Sequence, residues 1–202
     1  MGYIGIIDYG VGNLMSVINV LHYFGFDCKI SDSARVLEDA DKLILPGVGA
    51  FPSAMAQLES KDLGPFVRKQ AQKKPVLGIC LGMQMLFEES SEIEDCKGLS
   101  LVKGKVRKIK TPLKLPHIGW NALDIKNASP LLKNVSDASF VYFVHSFCGV
   151  PENPEHIIAS AEYGEDICAI VQSGYVFGCQ FHPEKSGTTG LQIIKNFAEM
   201  NI

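Results

Sequence analysis

Two short stretches carry the residue types that covalent chemistry needs. The first is Pro75-Val76-Leu77-Gly78-Ile79-Cys80-Leu81-Gly82-Met83-Gln84. An apolar run ends at Cys80, a glycine stands two positions to either side, and an amphipathic stretch, Gln84 to Glu89, follows. This is the strand–nucleophile–helix pattern of an elbow, written with cysteine in place of serine. A sharp turn would lift the Cys80 side chain out of a sheet. Gly78 and Gly82 would let the chain fold back, and the first N–H groups of a following helix would favour a thiolate. The stretch also fits a buried structural cysteine at a strand end, since free cysteine is among the most buried residues.

The second stretch runs Gly178-Cys179-Gln180-Phe181 into His182-Pro183-Glu184-Lys185-Ser186. Pro183 biases His182 toward extended backbone. Residues two apart in an extended segment point to one side, so His182 and Glu184 can face one target. A carboxylate beside an imidazole fixes its tautomer and supports its charged form. Alone, the segment also reads as a surface turn. If both stretches end neighbouring strands, Cys80, His182 and Glu184 can act as nucleophile, base and orienter.

The elements around them must form a scaffold that brings the two stretches together. Tyr3 to Asp8, Phe26 to Ile30, Lys42 to Leu45 and the run into Cys80 read as buried strands. Helical spacing appears at Asn13–Phe24, Pro52–Glu59 and Leu63–Lys73. That alternation predicts an α/β fold with a mixed, largely parallel central sheet and helices on both faces. The second half reads as strands at 101–109, 122–125, 140–145, 157–163, 167–172 and 175–181, predicting antiparallel additions, with a last helix from Gly190 to Met200. The basic cluster Lys103–Lys110 alternates with apolar residues and predicts an edge strand with a solvated face. Neither a repeat nor a linker interrupts the chain, so residues 1–202 are expected to form a single domain.

Composition narrows the function. A formal charge of −3 with 20% charged residues offers no electrostatic case for nucleic acid or an anionic membrane. No apolar run approaches the ~20 residues of a membrane helix, and Met1–Asp8 lacks a basic signal region. The cysteines at 28, 80, 96, 148, 168 and 179 are dispersed, which supports neither a zinc site nor a disulfide framework and suits a reducing cytoplasm. Gly10-Val11-Gly12 could pass for a dinucleotide fingerprint, but Met15 stands where the third glycine belongs, so no cofactor is expected.

The order Cys…His…Glu, with the elbow and His-Pro-Glu, resembles the class-I glutamine amidotransferases, and the resemblance covers essentially the whole chain. It implies their flavodoxin-like glutaminase fold. Asp8–Leu14, Pro46-Gly47-Val48-Gly49-Ala50-Phe51, His117–Asn121, Tyr142–Ser146 and His182–Ser186 are similar to one branch, the glutaminase subunits of imidazole glycerol phosphate synthase in histidine biosynthesis. The resemblance implies hydrolysis of L-glutamine to glutamate and ammonia by Cys80, His182 and Glu184. It implies an oxyanion hole from Leu81 and the Gly47, Val48, Gly49 loop, which must reorient, and glutamine contacts from Gln84, Glu92, Ser146 and Phe147. An aromatic hydroxyl is more usual at position 147, so only the backbone there is relied upon, and Phe143 and Phe147 side chains are expected in the core.

By the same resemblance, ammonia passes to a cyclase subunit, the (β/α)8 barrel HisF, in a heterodimer. The cyclase makes imidazole glycerol phosphate and aminoimidazole carboxamide ribonucleotide. Trp120, in a His-Ile-Gly-Trp-Asn loop, with Tyr142 and Lys185 matches family positions at that interface; a core aromatic is the other reading of Trp120. Asn13 is expected either to bond near the oxyanion loop or to cap its helix.

Overall fold

The computed structural model describes residues 2–200. The first half of the chain alternates: β1 (Ile4–Ile7), α1 (Leu14–Tyr23), β2 (Cys28–Ser31), α2 (Ala34–Glu38), β3 (Lys42–Gly47), α3 (Phe51–Ser60), α4 (Leu63–Gln70), β4 (Val76–Cys80) and α5 (Leu81–Met85). The second half adds β5 (Phe87–Ser90), β6 (Cys96–Lys97), β7 (Val102–Lys108), β8 (His117–Ala122), β9 (Asp124–Ile125), β10 (Phe140–His145) and β11 (Phe147–Pro151). It closes with β12 (Ile157–Glu162), β13 (Asp166–Ser173), β14 (Val176–Cys179) and α6 (Gly187–Glu199).

The central sheet runs β2-β1-β3-β4-β14-β13-β12-β9. Its first five strands are mutually parallel, and β13, β12 and β9 continue antiparallel. Both faces of the parallel part are covered, which is why its strands read as near-continuous apolar runs. Ile4, Ile6, Ile44, Leu77 and Ile79 pack with α1 and α6 on one side. Ile7, Leu43, Leu45 and Val76 pack with α2, α3 and α4 on the other. The mixed, largely parallel α/β sheet expected from the sequence is what forms.

Three expectations need correcting. The amphipathic stretch after Cys80 is not one helix to Glu89. The helix stops at Met85, because the returning segment takes its carbonyls: Leu99 N–H donates to Met85, Leu101 N–H to Leu86 and Ser100 N–H to Phe87. Phe87–Ser90 then pairs with β7 as a strand. The basic strand β7 is no edge either, since it lies between β11 and β5 in a separate four-stranded sheet. Its alternation arises because Val102 and Val106 pack inward while the charged residues between them stay in water. Last, His117–Asn121 is not a loop but most of β8, paired residue by residue with β10 from Ala122↔Phe140 to His117↔His145.

The loop after Gly47 and the turn after Cys80 are held by close backbone approach. A Cβ on Gly82 would overlap the Leu45 carbonyl oxygen, and one on Gly78 would lie 2.6 Å from the Gly82 carbonyl oxygen. Neither neighbour is a flexible side-chain end, so the strain cannot be relieved locally. Gly82→Ala is therefore expected to destabilise the fold by more than about 3 kcal/mol, measured as a lowered urea midpoint. Wild-type stability in that variant would refute the close approach.

Candidate active site

β4 and β14 are adjacent and parallel, with Ile79 opposite Cys179, so Cys80 and His182 emerge beside each other at the carboxyl ends of neighbouring strands. Open α/β sheets place ligands at this end. Cys80 itself stands at φ 55°, ψ −113°, a left-handed conformation that costs a non-glycine residue ~1–3 kcal/mol. It is buried, and its sulfur lies 3.9 Å from the Val144 carbonyl oxygen.

His182 opens the 3-10 turn Pro183–Lys185, and its Nδ1 lies 2.9 Å from Glu184 Oε1. Both side chains are almost fully buried. Burial by itself would push the His182 pKa down, but contacts with Cys80 and Glu184 outweigh it and raise the pKa to about 10. The carboxylate of Glu184 thus favours the charged form of the imidazole. Its position is fixed from the strand side: His182 N–H donates to the Tyr142 carbonyl at 3.0 Å, and Tyr142 N–H donates to Ser186 Oγ at 2.9 Å.

These groups face a cleft of about 290 Å³. Val48, Gly49, Leu81, Gln84, Glu92, Ser146 and Phe147 line it together with Cys80 and His182. Gln84 Nε2 donates to the Phe147 carbonyl at 2.9 Å and to Gln180 Oε1 at 3.0 Å. Glu92 Oε2 accepts from Phe51 N–H at 2.8 Å, which ties the cleft wall to the start of α3. Gly47 is not on the wall. It pairs with Cys80 and is packed so tightly that a Cβ would lie 2.7 Å from both Gly82 N and the Tyr9 hydroxyl. Gly49, at φ +96°, has open space around it, so its backbone conformation alone calls for glycine. Phe143 is in the core as expected, and half-buried Phe147 packs against the core, its carbonyl bonded by Gln84 Nε2 and 2.8 Å from His145 Nδ1.

Trp120 and Tyr142 are register partners across β8 and β10, with ring centroids 5.8 Å apart. Trp120 is 51% exposed, which removes the core reading. Ile118 and Phe140 extend the same outward apolar face, and exposed Lys185 lies one residue from Glu184. Among the described residues there is no group of three or more His, Cys, Asp or Glu that could hold a metal ion. No described helix is long and apolar enough to cross a membrane.

Sequence reasoning missed three contacts. Asn13 neither caps α1 with its side chain nor bonds to the Gly47–Gly49 loop; its Nδ2 donates to Glu184 Oε1 at 3.2 Å, from 171 positions away. Tyr9 lies beneath the loop and donates its hydroxyl to the Pro46 carbonyl at 2.8 Å. His145 lines the cleft with His117 bonded behind it. For the histidines a signal existed, in the alternate positions 117, 119 and 121 that share one strand face. For Asn13 and Tyr9 there was none. The backbone at Cys80 generates its own test. Because φ 55° strains alanine and not glycine, Cys80→Gly should be more stable than Cys80→Ala by about 1 kcal/mol. Thermal denaturation checks this, and the usual order, alanine above glycine, would contradict the strained elbow.

The family profile for "Glutamine amidotransferase class-I" matches residues 5–200. The chain is 48% identical over 198 residues to "Imidazole glycerol phosphate synthase subunit HisH" of Caldanaerobacter subterraneus subsp. tengcongensis, covering 98% of each chain. It is 48% identical over 195 residues to the protein of the same name from Bacillus mycoides, covering 96% of this chain and 93% of that one. Among solved structures, a putative GMP synthase protein from Thermoplasma acidophilum superposes with TM-score 0.76 at 22% identity, over 98% of this chain and 92% of that one. PurLQS from Thermotoga maritima gives 0.75 at 21%, over 98% of both. The likeness to these structures shows the shared fold. The chain belongs to the class-I glutamine amidotransferases and, within them, to the family of imidazole glycerol phosphate synthase HisH subunits.

Proposed function

We propose that this chain acts as the glutaminase subunit of imidazole glycerol phosphate synthase, in which a Cys80–His182–Glu184 triad releases ammonia from L-glutamine. The observation that carries the reading is a backbone-strained cysteine and a carboxylate-held imidazole that line one cleft. The Cys80 thiolate attacks the side-chain amide carbon of glutamine. His182, oriented by Glu184, gives its proton to the departing ammonia and leaves a glutamyl thioester. The neutral imidazole then takes a proton from water, whose attack frees glutamate and the thiolate.

The tetrahedral intermediates carry an oxyanion that needs donors. Leu81 N–H supplies one, and the Gly47–Val48–Gly49 loop supplies another once it has turned a peptide toward the cleft. One such donor is worth ~3 kcal/mol of barrier. Val48 is exposed and Gly49 is free of neighbours, so the change is sterically cheap, while Tyr9 keeps Pro46 in place. Gln84, Glu92 and the Ser146–Phe147 backbone hold the glutamine.

Free ammonia would be protonated and would lose its nucleophilicity in water, so the product passes to a partner. That partner is the cyclase HisF, a (β/α)8 barrel in the cytoplasm, forming a heterodimer with this chain. The outward apolar face of β8 and β10, with Trp120, Tyr142 and nearby Lys185, supports docking beside the His182 segment. Exposed aromatics are frequent anchors at such surfaces.

Glutamate release is the direct measurement. Adding the cyclase and its nucleotide substrate should raise it about 10- to 100-fold, and an unchanged rate would sink the pathway assignment. Glu184→Gln should lower kcat of the complex by about 10²- to 10⁴-fold. It should also move the alkaline limb of the pH profile downward, because His182, relieved of the carboxylate, loses its proton at lower pH. A kcat near wild type would remove Glu184 from the triad. For the interface, the Trp120→Ala, Lys185→Ala double variant is expected to weaken cyclase binding by at least about 2 kcal/mol; an unaltered Kd in calorimetry refutes it.

A further inference from the structure

Behind the cleft, a hydrogen-bond chain runs from an exposed end at β12, through a buried pair of histidines, to the cleft wall, and its protons do not add up for neutral side chains. Asn121 Nδ2 donates to the Glu162 carbonyl at 2.7 Å, so Asn121 Oδ1 faces His117 Nε2, 2.8 Å away. An amide oxygen only accepts, and His117 Nε2 must therefore carry a proton. At the other end His145 Nδ1 lies 2.8 Å from the Phe147 carbonyl, another pure acceptor, so this nitrogen carries a proton too. Between them, His117 Nδ1 and His145 Nε2 are 3.0 Å apart. With both rings neutral, each has committed its single proton outward, and two lone pairs would face each other. Turning the Asn121 amide over only moves the conflict, by setting its oxygen against the Glu162 carbonyl. A contact this short needs one more proton than the two neutral rings hold.

We propose that His117 and His145 form a one-proton switch that positions the Ser146–Phe147 wall of the glutamine pocket. With the extra proton, taken from solvent and shared between Nδ1 and Nε2, the chain is continuous from Glu162 to Phe147. Without it, one link opens. The Phe147 carbonyl is the receiving end, and it also accepts from Gln84, so His145 is a positioning residue for the wall that holds substrate. The consequence for glutamine rests on the function proposed above; the proton count does not.

The titratable groups that face the pair are His182 across the cleft and Tyr163, whose ring stacks on His117 at 3.8 Å and whose hydroxyl donates to the Lys114 carbonyl. Phe143 stacks on His117 from the core side. Burial pushes both histidines down, His145 to about 4. The N–H···N bond to a charged ring works the other way, so the pair takes up its proton as one group below the ordinary histidine value. The wall is ordered on the acid side and loosens as pH rises.

Two measurements on the full chain and its cyclase complex decide the matter. Long-range ¹H–¹⁵N spectra between pH 4 and 9 should show the two rings gaining one proton together, with His145 Nδ1 and His117 Nε2 both protonated on the acid side. If neither ring takes up a proton over that range, or if each titrates separately, the switch is wrong, whatever the activity. The KM for glutamine should rise roughly threefold to tenfold across the same titration, with kcat less affected. His117→Asn places an amide nitrogen near the position of Nδ1, giving His145 a donor at every pH, and should abolish that dependence. His117→Leu, which offers no donor, should hold KM at the high value throughout. A folded His117→Asn variant with the wild-type pH dependence of KM overturns the proposal. Loss of hydrolysis in the wild-type complex would instead refute the glutaminase reading and leave the spectra to judge the proton.

Discussion

A single residue held in an unfavourable backbone conformation organises this molecule. At φ 55° and ψ −113° Cys80 is strained, and only the packing around it makes that state the native one. Gly82 presses against the Leu45 carbonyl, Gly78 lies under the carbonyl of Gly82, and Gly47 touches both Gly82 and Tyr9. These contacts join β3, β4 and α5 with almost no side-chain thickness between them. The result is a cysteine raised from a buried sheet, while the loop that follows β3 begins at the same point. Cys80 and the Gly47–Gly49 loop, the proposed nucleophile and oxyanion loop, are thus set by one packing event, and a change in either is felt by the other.

His182, the proposed base, is placed by a different part of the fold. β14 lies beside β4, but the segment after it is secured from β10, through the Tyr142 carbonyl and the Ser186 hydroxyl. β10 pairs with β8 in a small outer sheet whose two faces have opposite characters. Outward stand Ile118, Trp120, Phe140 and Tyr142; inward stand His117, Asn121, Phe143 and His145. A partner pressed on the outer face would load strands that hold both the His182 backbone and the histidine pair. A two-stranded sheet is a compliant element for such a load, because few ladder hydrogen bonds fix it.

How much of this could be read in the chain depended on the distance over which each signal acts. The elbow was legible because Gly78, Cys80 and Gly82 bear on one turn, and His182 with Glu184 because an extended pair shares one side. The buried runs of β1, β3 and β4 announced a covered parallel sheet for the same local reason. What failed was decided by partners remote in sequence. The Gln84–Glu89 stretch has a helical pattern, yet the segment at 99–101 captures its carbonyls and turns it into a strand. β7 carries the alternation of an edge strand, although β5 and β11 flank it.

The sequence alone therefore determined which residues could do the chemistry, since residue type and local geometry limit a nucleophile, a base and its carboxylate to very few positions. It also determined that the first half must form a parallel sheet, through apolar runs too continuous for a half-exposed one. The tertiary structure decided how these groups are held. It brought the Asn13 side chain to Glu184 and the Tyr9 hydroxyl to the Pro46 carbonyl, contacts with no common period or turn to relate them, and it set His117 against His145. It gave His182 its raised pKa, because the charge of an imidazole depends on burial and on neighbours that only folding brings within a few ångströms.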